Sequence, residues 1–121
     1  MKIKTNELTG AALDWAVAQA EGLLAFGYRT DGARFAVEDS DGNVEGFMPS
    51  TDWAQGGPVI EREKISIQEL EGIWSAFFRD KLFEEDNSEC WRDGPTPLIA
   101  AMRCYVASKL GAEVDVPEEL K

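Results

Sequence analysis

Asp52, Trp53 and Gln55 stand close together in the run Pro49-Ser50-Thr51-Asp52-Trp53-Ala54-Gln55-Gly56-Gly57-Pro58, and Arg62 follows shortly after. A carboxylate and an amide can orient a ligand by hydrogen bonds, while tryptophan and arginine are enriched where binding energy concentrates. A proline before them and Gly-Gly-Pro after them give the run the composition of an irregular loop. Such loops either pin themselves to a core or present side chains outward. Two readings are therefore open. In the first, Trp53 is a peg in the core, Asp52 satisfies loop amides, and Ser50 or Thr51 caps a single helical turn. In the second, Asp52, Trp53, Gln55 and Arg62 form a recognition surface.

Other chemistry is sparse. The chain has no histidine, which removes the Ser-His-Asp and Cys-His nucleophile systems and the usual zinc sites. Asp39-Ser40-Asp41-Gly42-Asn43 has a superficial likeness to a calcium loop. Its glycine comes too early, and Ser50 stands where a bidentate glutamate belongs, so the run reads as a hairpin turn. Gly56-Gly57-Pro58 lacks the Lys-Ser/Thr ending of a phosphate-binding loop. No catalytic residue, metal ligand or cofactor is assigned, and the balance leans away from an enzyme. Asp14 and Arg103 read as members of ordinary ion pairs. Trp15, Trp74 and Trp91 read as packing residues.

The formal net charge of -11 argues against direct binding to nucleic acid, whose phosphates require a basic face. The densest acidic cluster is Glu84-Glu85-Asp86 with Glu89 close by. It reads as a solvated loop, or alternatively as an imitation of phosphate spacing aimed at a DNA-binding protein. Lys2 and Lys4 lead into no apolar signal segment, and no apolar run approaches the roughly 20 residues that span a bilayer. The expectation is a soluble intracellular chain in which Cys90 and Cys104 are free thiols.

The elements that must carry these residues fit one α+β domain over residues 1–121, with an antiparallel sheet packed by an N-terminal and a C-terminal helix. Met1 to Lys4 suits a short edge strand. A first helix from Gly10 to about Ala20 has Thr9 as N-cap, Gly22 as stop, and Leu13, Ala16, Val17 and Ala20 on one face. Asp31-Gly32 between Phe26–Thr30 and Ala33–Glu38 is a hairpin signal, and Val44–Met48 completes a meander. Val59–Arg62 and Ile65–Ile67 suit further strands. Residues 66–82 are ambiguous. Leu70, Ile73, Trp74, Phe77 and Phe78 fit a helical stripe begun by a Ser66–Glu69 capping box, yet Gly72 interrupts it and Ile73–Phe78 has strand composition. The last helix, opened by Thr96 and Pro97 and closed by Gly111, is the clearest element. Leu98, Ala101, Met102, Tyr105, Val106 and Leu110 form its apolar face, with Arg103 and Lys109 outside. Residues 113–121 suit an extended acidic tail.

Three segments carry a resemblance. Leu13-Asp14-Trp15-Ala16-Val17-Ala18, then Pro49 to Pro58 with Ile60-Glu61-Arg62-Glu63, then Gly94-Pro95-Thr96-Pro97-Leu98-Ile99-Ala100-Ala101-Met102-Arg103 resemble the NinX-like family of small phage and prophage proteins. The similarity extends from the first helix to about Val116. It implies a phage or prophage protein working in the cytoplasm of the bacterial host. It also implies a strand at Trp74-Ser75-Ala76, but brings no activity, cofactor or catalytic residue. The expected function is a non-enzymatic accessory module that binds a host or phage protein through residues 49–62. A small-molecule binder or small enzyme using Asp52 and Arg62 is the alternative, and an acidic decoy for a DNA-binding protein the second.

Overall fold

Thr96 opens the helix on which the rest of the protein is assembled. Its side-chain oxygen accepts the Ile99 N–H at 3.1 Å, Pro97 needs no amide partner in the first turn, and the helix runs over Pro97–Leu110. In a computed structural model, which describes residues 1–26, 36–38, 41–78 and 91–120, this helix (α3) packs against the other two helices and against strands on more than one side. Ala100, Cys104 and Ala107 are consequently buried along with Leu98, Ala101, Met102, Tyr105 and Val106. A helix that is apolar nearly all round belongs in a core. Leu110, assigned to the apolar face by spacing, is instead exposed at the helix end.

The first helix, α1 (Gly10–Glu21), is stopped by Gly22 as its sequence requires, although the Thr9 side chain makes no capping bond. Its alanines let it approach α3 closely, and Leu13, Ala16 and Val17 are fully buried there. Trp15 is partly buried at the margin.

Among the described residues the antiparallel strands form three small sheets rather than one. β2 (Leu24–Phe26), β3 (Ala36–Glu38) and β4 (Val44–Gly46) pair in chain order as a meander, with Phe26 opposite Ala36 and Ala36 opposite Gly46; β2 starts before the expected Phe26–Thr30 strand, whose residues 27–30 lie outside the described ones. The Asp31-Gly32 turn, the acidic cluster and Cys90 lie outside the described residues; Cys104 is a free, buried thiol.

The ambiguous stretch is a β-hairpin. β5 (Ile65–Leu70) pairs with β6 (Ile73–Phe78), and β6 pairs with β7 (Arg92–Gly94). The two turn residues decide it: Glu71 has φ 55° and Gly72 φ 87°, the left-handed pair that joins strands of normal twist. Glu69 does not close a helical capping box; its carboxylate accepts the Gly72 N–H at 2.7 Å across the turn.

Two further expectations change. Val59–Arg62 is not a strand, and residues 49–62 are not an irregular loop throughout, because Trp53–Glu63 is a helix (α2) with Pro58 inside it. The acidic C-terminal segment is extended, but as a paired strand: β8 (Glu113–Asp115) lies antiparallel to β1 (Lys2–Lys4). Val114, Val116 and Leu120 are buried, which holds the segment down through apolar contacts that alternate with its acidic residues. Thr5 anchors the crossing, donating its hydroxyl to Gly111 O at 2.6 Å.

Gly56 shows why α2 needs its glycines unequally. A methyl at Gly56 would collide with the Pro49 carbonyl and sit 2.6 Å from Leu98 Cδ2, whereas one at Gly57 would meet nothing within 4 Å. Gly56→Ala is expected to destabilise the fold by about 1–3 kcal/mol through overpacking. Gly57→Ala, in the same helix, is expected to stabilise it by roughly 0.5–1 kcal/mol. Urea denaturation of the two variants beside the native chain measures both signs.

Candidate functional site

The segment between β4 and α2 is a tight turn. The Thr51 and Asp52 N–H groups both donate to Met48 O, at 3.1 and 2.9 Å. Pro49 and Ser50 at its apex are buried, so the turn's polar backbone needs partners from elsewhere in the fold. Asp14, on α1, supplies one: its Oδ1 accepts the Ser50 N–H at 2.8 Å. Gln55 supplies two more, its Oε1 accepting the Met48 N–H at 2.6 Å and its Nε2 donating to Gly46 O at 2.7 Å.

The four residues singled out by composition are thereby distributed among different tasks. Asp52 is the N-cap of α2, with Oδ1 accepting the Ala54 N–H at 2.9 Å. Gln55 latches the turn to the helix. Arg62, in the last turn of α2, pairs with Glu21 on α1 and with Glu63, and its guanidinium lies 5.7 Å from the centre of the Tyr105 ring. Those two carboxylates, Glu21 first, push the Arg62 pKa upward. Burial pushes the Tyr105 hydroxyl up to about 12, with Glu21 adding to the effect.

Among the described residues, Trp53 differs from the other three in having no hydrogen bond or ion pair from its side chain, which points outward. It occupies the first helical position and is 55% exposed, so it is no peg in the core. Beside it opens a cavity of about 220 Å³, lined by Ser50, Thr51 and Trp53 on one side and by Thr96 to Ile99 on the other. The Ser50 hydroxyl is buried, close to the Asp14 carboxyl. Asp52 and Arg62 do not converge: ten residues of helix separate them by roughly 15 Å along the axis, and neither lines this cavity. Among the described residues no group of three or more carboxylates or cysteines is placed to hold a metal ion, and no helix is long and apolar enough to cross a membrane.

Asp14 is the residue that sequence reasoning placed wrongly. Among the described residues it forms no ion pair; it is 5% exposed, and burial pushes its carboxyl up to about 6 against the opposing effect of the Ser50 bonds. A signal was present. Its helical neighbours three and four residues away are Gly10, Ala11, Val17 and Ala18, none of which can pair with a charge. Arg103 likewise makes no ion pair among the described residues, donating instead to the Leu8 and Asp93 carbonyls.

The Asp14 shift fixes a pH dependence. Between its ordinary value of 3.8 and about 6, the folded chain holds a proton that the unfolded chain has released. Stability therefore falls as pH rises through that window, by up to about 3 kcal/mol, and this contribution is flat above it. Asp14→Asn keeps an oxygen for the Ser50 N–H and removes the titration. Its urea midpoint is expected to lose this component of the slope between pH 4 and 6, as paired denaturation series would record.

No curated protein sequence matches the chain. The family model described as Bacteriophage P22, NinX matches residues 4–109. That span covers α1, the turn and helix that carry Trp53, and nearly all of α3, so the chain belongs to the phage NinX family.

Proposed function

We propose that this phage protein is a non-enzymatic accessory module that binds a host or phage protein in the bacterial cytoplasm, with Trp53 as the anchor of the contact. The observation that carries the reading is the exposure of Trp53 at the mouth of a cavity. Tryptophan has a large apolar surface, and leaving more than half of it in water forgoes burial energy unless a partner covers it. The α2 cap, the Gln55 latch and the Ser50–Asp14 bond hold its backbone in place, so docking would lose little conformational entropy there.

A partner side chain of apolar character suits the cavity of about 220 Å³. The net charge of -11 favours a basic rim on that partner and an association rate that falls with added salt.

Affinity capture from infected and uninfected host lysates, native chain against Trp53→Ala, tests the reading. The variant is expected to keep its stability to within about 0.5 kcal/mol, as an exposed substitution should, and to weaken binding of the recovered partner about 30-fold or more. A folded Trp53→Ala chain that binds its partner as tightly as the native one would contradict it.

A further inference from the structure

A second opening lies on the other side of the Gly94–Pro97 segment. This cleft, of about 540 Å³, is lined by Asn6, Ile73, Trp91, Arg92, Asp93 and Arg103 among others. In a chain with 23 acidic residues against 12 basic ones, an arginine readily finds a carboxylate, as Arg62 does twice. Among the described residues, Arg92 and Arg103 do not. Arg103 is aimed by neutral carbonyls, its Nε donating to Leu8 O at 2.7 Å and its Nη1 to Asp93 O at 2.9 Å. Arg92 donates Nη1 to Trp91 O at 2.8 Å, and its Nε is buried without a hydrogen-bond partner. Neither has a carboxylate partner among the described residues.

Among the described residues that line the cleft, the carboxylate is that of Asp93, which accepts the Ser75 hydroxyl at 2.6 Å. Two arginines and one engaged carboxylate thus line the cleft among the described residues. Guanidinium groups held in place by carbonyls present planar donors that fit the oxygens of a carboxylate or phosphate. The walls are also partly apolar. Trp91 is stacked on Phe77 at 4.5 Å between ring centres with 10° between planes, which fixes its ring, and it remains 36% exposed. Ile73, at the hairpin turn, is 54% exposed.

We infer that this cleft binds a small organic oxyanion, a carboxylate or phosphate ester on an apolar body, with Arg92 and Arg103 taking the charged group and Trp91 and Ile73 the body. The site is separate from the Trp53 contact and stands whether or not that contact is confirmed.

The test is an NMR titration of the full chain with phenyl phosphate, benzoate and inorganic phosphate, at ionic strength held constant with sodium chloride. Saturable shifts of the Trp91 indole N–H are expected, with phenyl phosphate binding at least about threefold more tightly than inorganic phosphate because of its ring. Tighter binding of phenyl phosphate than of benzoate would assign a phosphate ligand, the reverse a carboxylate, and equal binding an oxyanion site of either kind. Arg92→Gln is expected to weaken binding about tenfold or more. Ile73→Glu sets a carboxylate at the exposed rim, away from the core, and is expected to do the same. Shifts that never saturate, or unchanged affinity in both folded variants, would overturn the inference.

Discussion

The bond from the buried Ser50 N–H to Asp14 dictates the geometry of everything between β4 and the end of α2. A turn can be buried only if its backbone groups are satisfied inside the protein, and leaving one such group unpaired costs about 1–3 kcal/mol. Asp14 meets that need from α1, at the expense of burying a carboxyl whose pKa rises to about 6. With Ser50 fixed, Pro49 lies where only a glycine at position 56 lets α2 pass. Gln55 then reaches back to Met48 and Gly46. Trp53, two residues before Gln55 on the same helical turn, is left facing outward.

The same constraint explains a helix that its own composition opposes. A proline in a helix interior costs about 3 kcal/mol and each glycine about 1 kcal/mol relative to alanine. Against this, the Asp52 cap contributes about 1 kcal/mol and the two Gln55 bonds about 1 kcal/mol each. Burial of Val59 and partial burial of Ile60 against the core add roughly 1.5–3 kcal/mol for a fully covered side chain. The two sides are of similar size, so packing against the rest of the protein decides the outcome.

That balance marks the limit of what the sequence discloses. α1 and α3 are legible because each carries its own stop signal and apolar spacing, and α3 also its own cap, in Thr96 with Pro97. The β5–β6 hairpin is half-legible: its aromatic residues fit both periods, and Glu71-Gly72 settles the matter only when read as a turn. α2 is hidden because Gly-Gly-Pro is a local breaker, while the helix is held by the bonds of Gln55 to Met48 and Gly46 and by the burial of Val59 and partial burial of Ile60 against the core. β8 is hidden because its partner, β1, comes from the other end of the sequence. At the candidate site, composition draws notice to Trp53 but cannot separate an exposed anchor from a buried peg. Asp14 and Ser50 acquire their importance only once α1 and the turn are packed together.

The NinX fold thus places two openings on either side of Gly94–Pro97, one beside Trp53 and one between Arg92 and Arg103. Both borrow their positioning from polar contacts: the buried bond of Asp14 with Ser50 for the first, and the bonds of Arg103 with the Leu8 and Asp93 carbonyls for the second. The claim on which this account rests is that the 48–52 turn is a rigid part of the core. Native-state hydrogen exchange of the Ser50 amide measures it directly. The account predicts that this amide exchanges as slowly as those in the middle of α3, opening only with global unfolding. Exchange at the rate of the exposed Gly42 amide would contradict it.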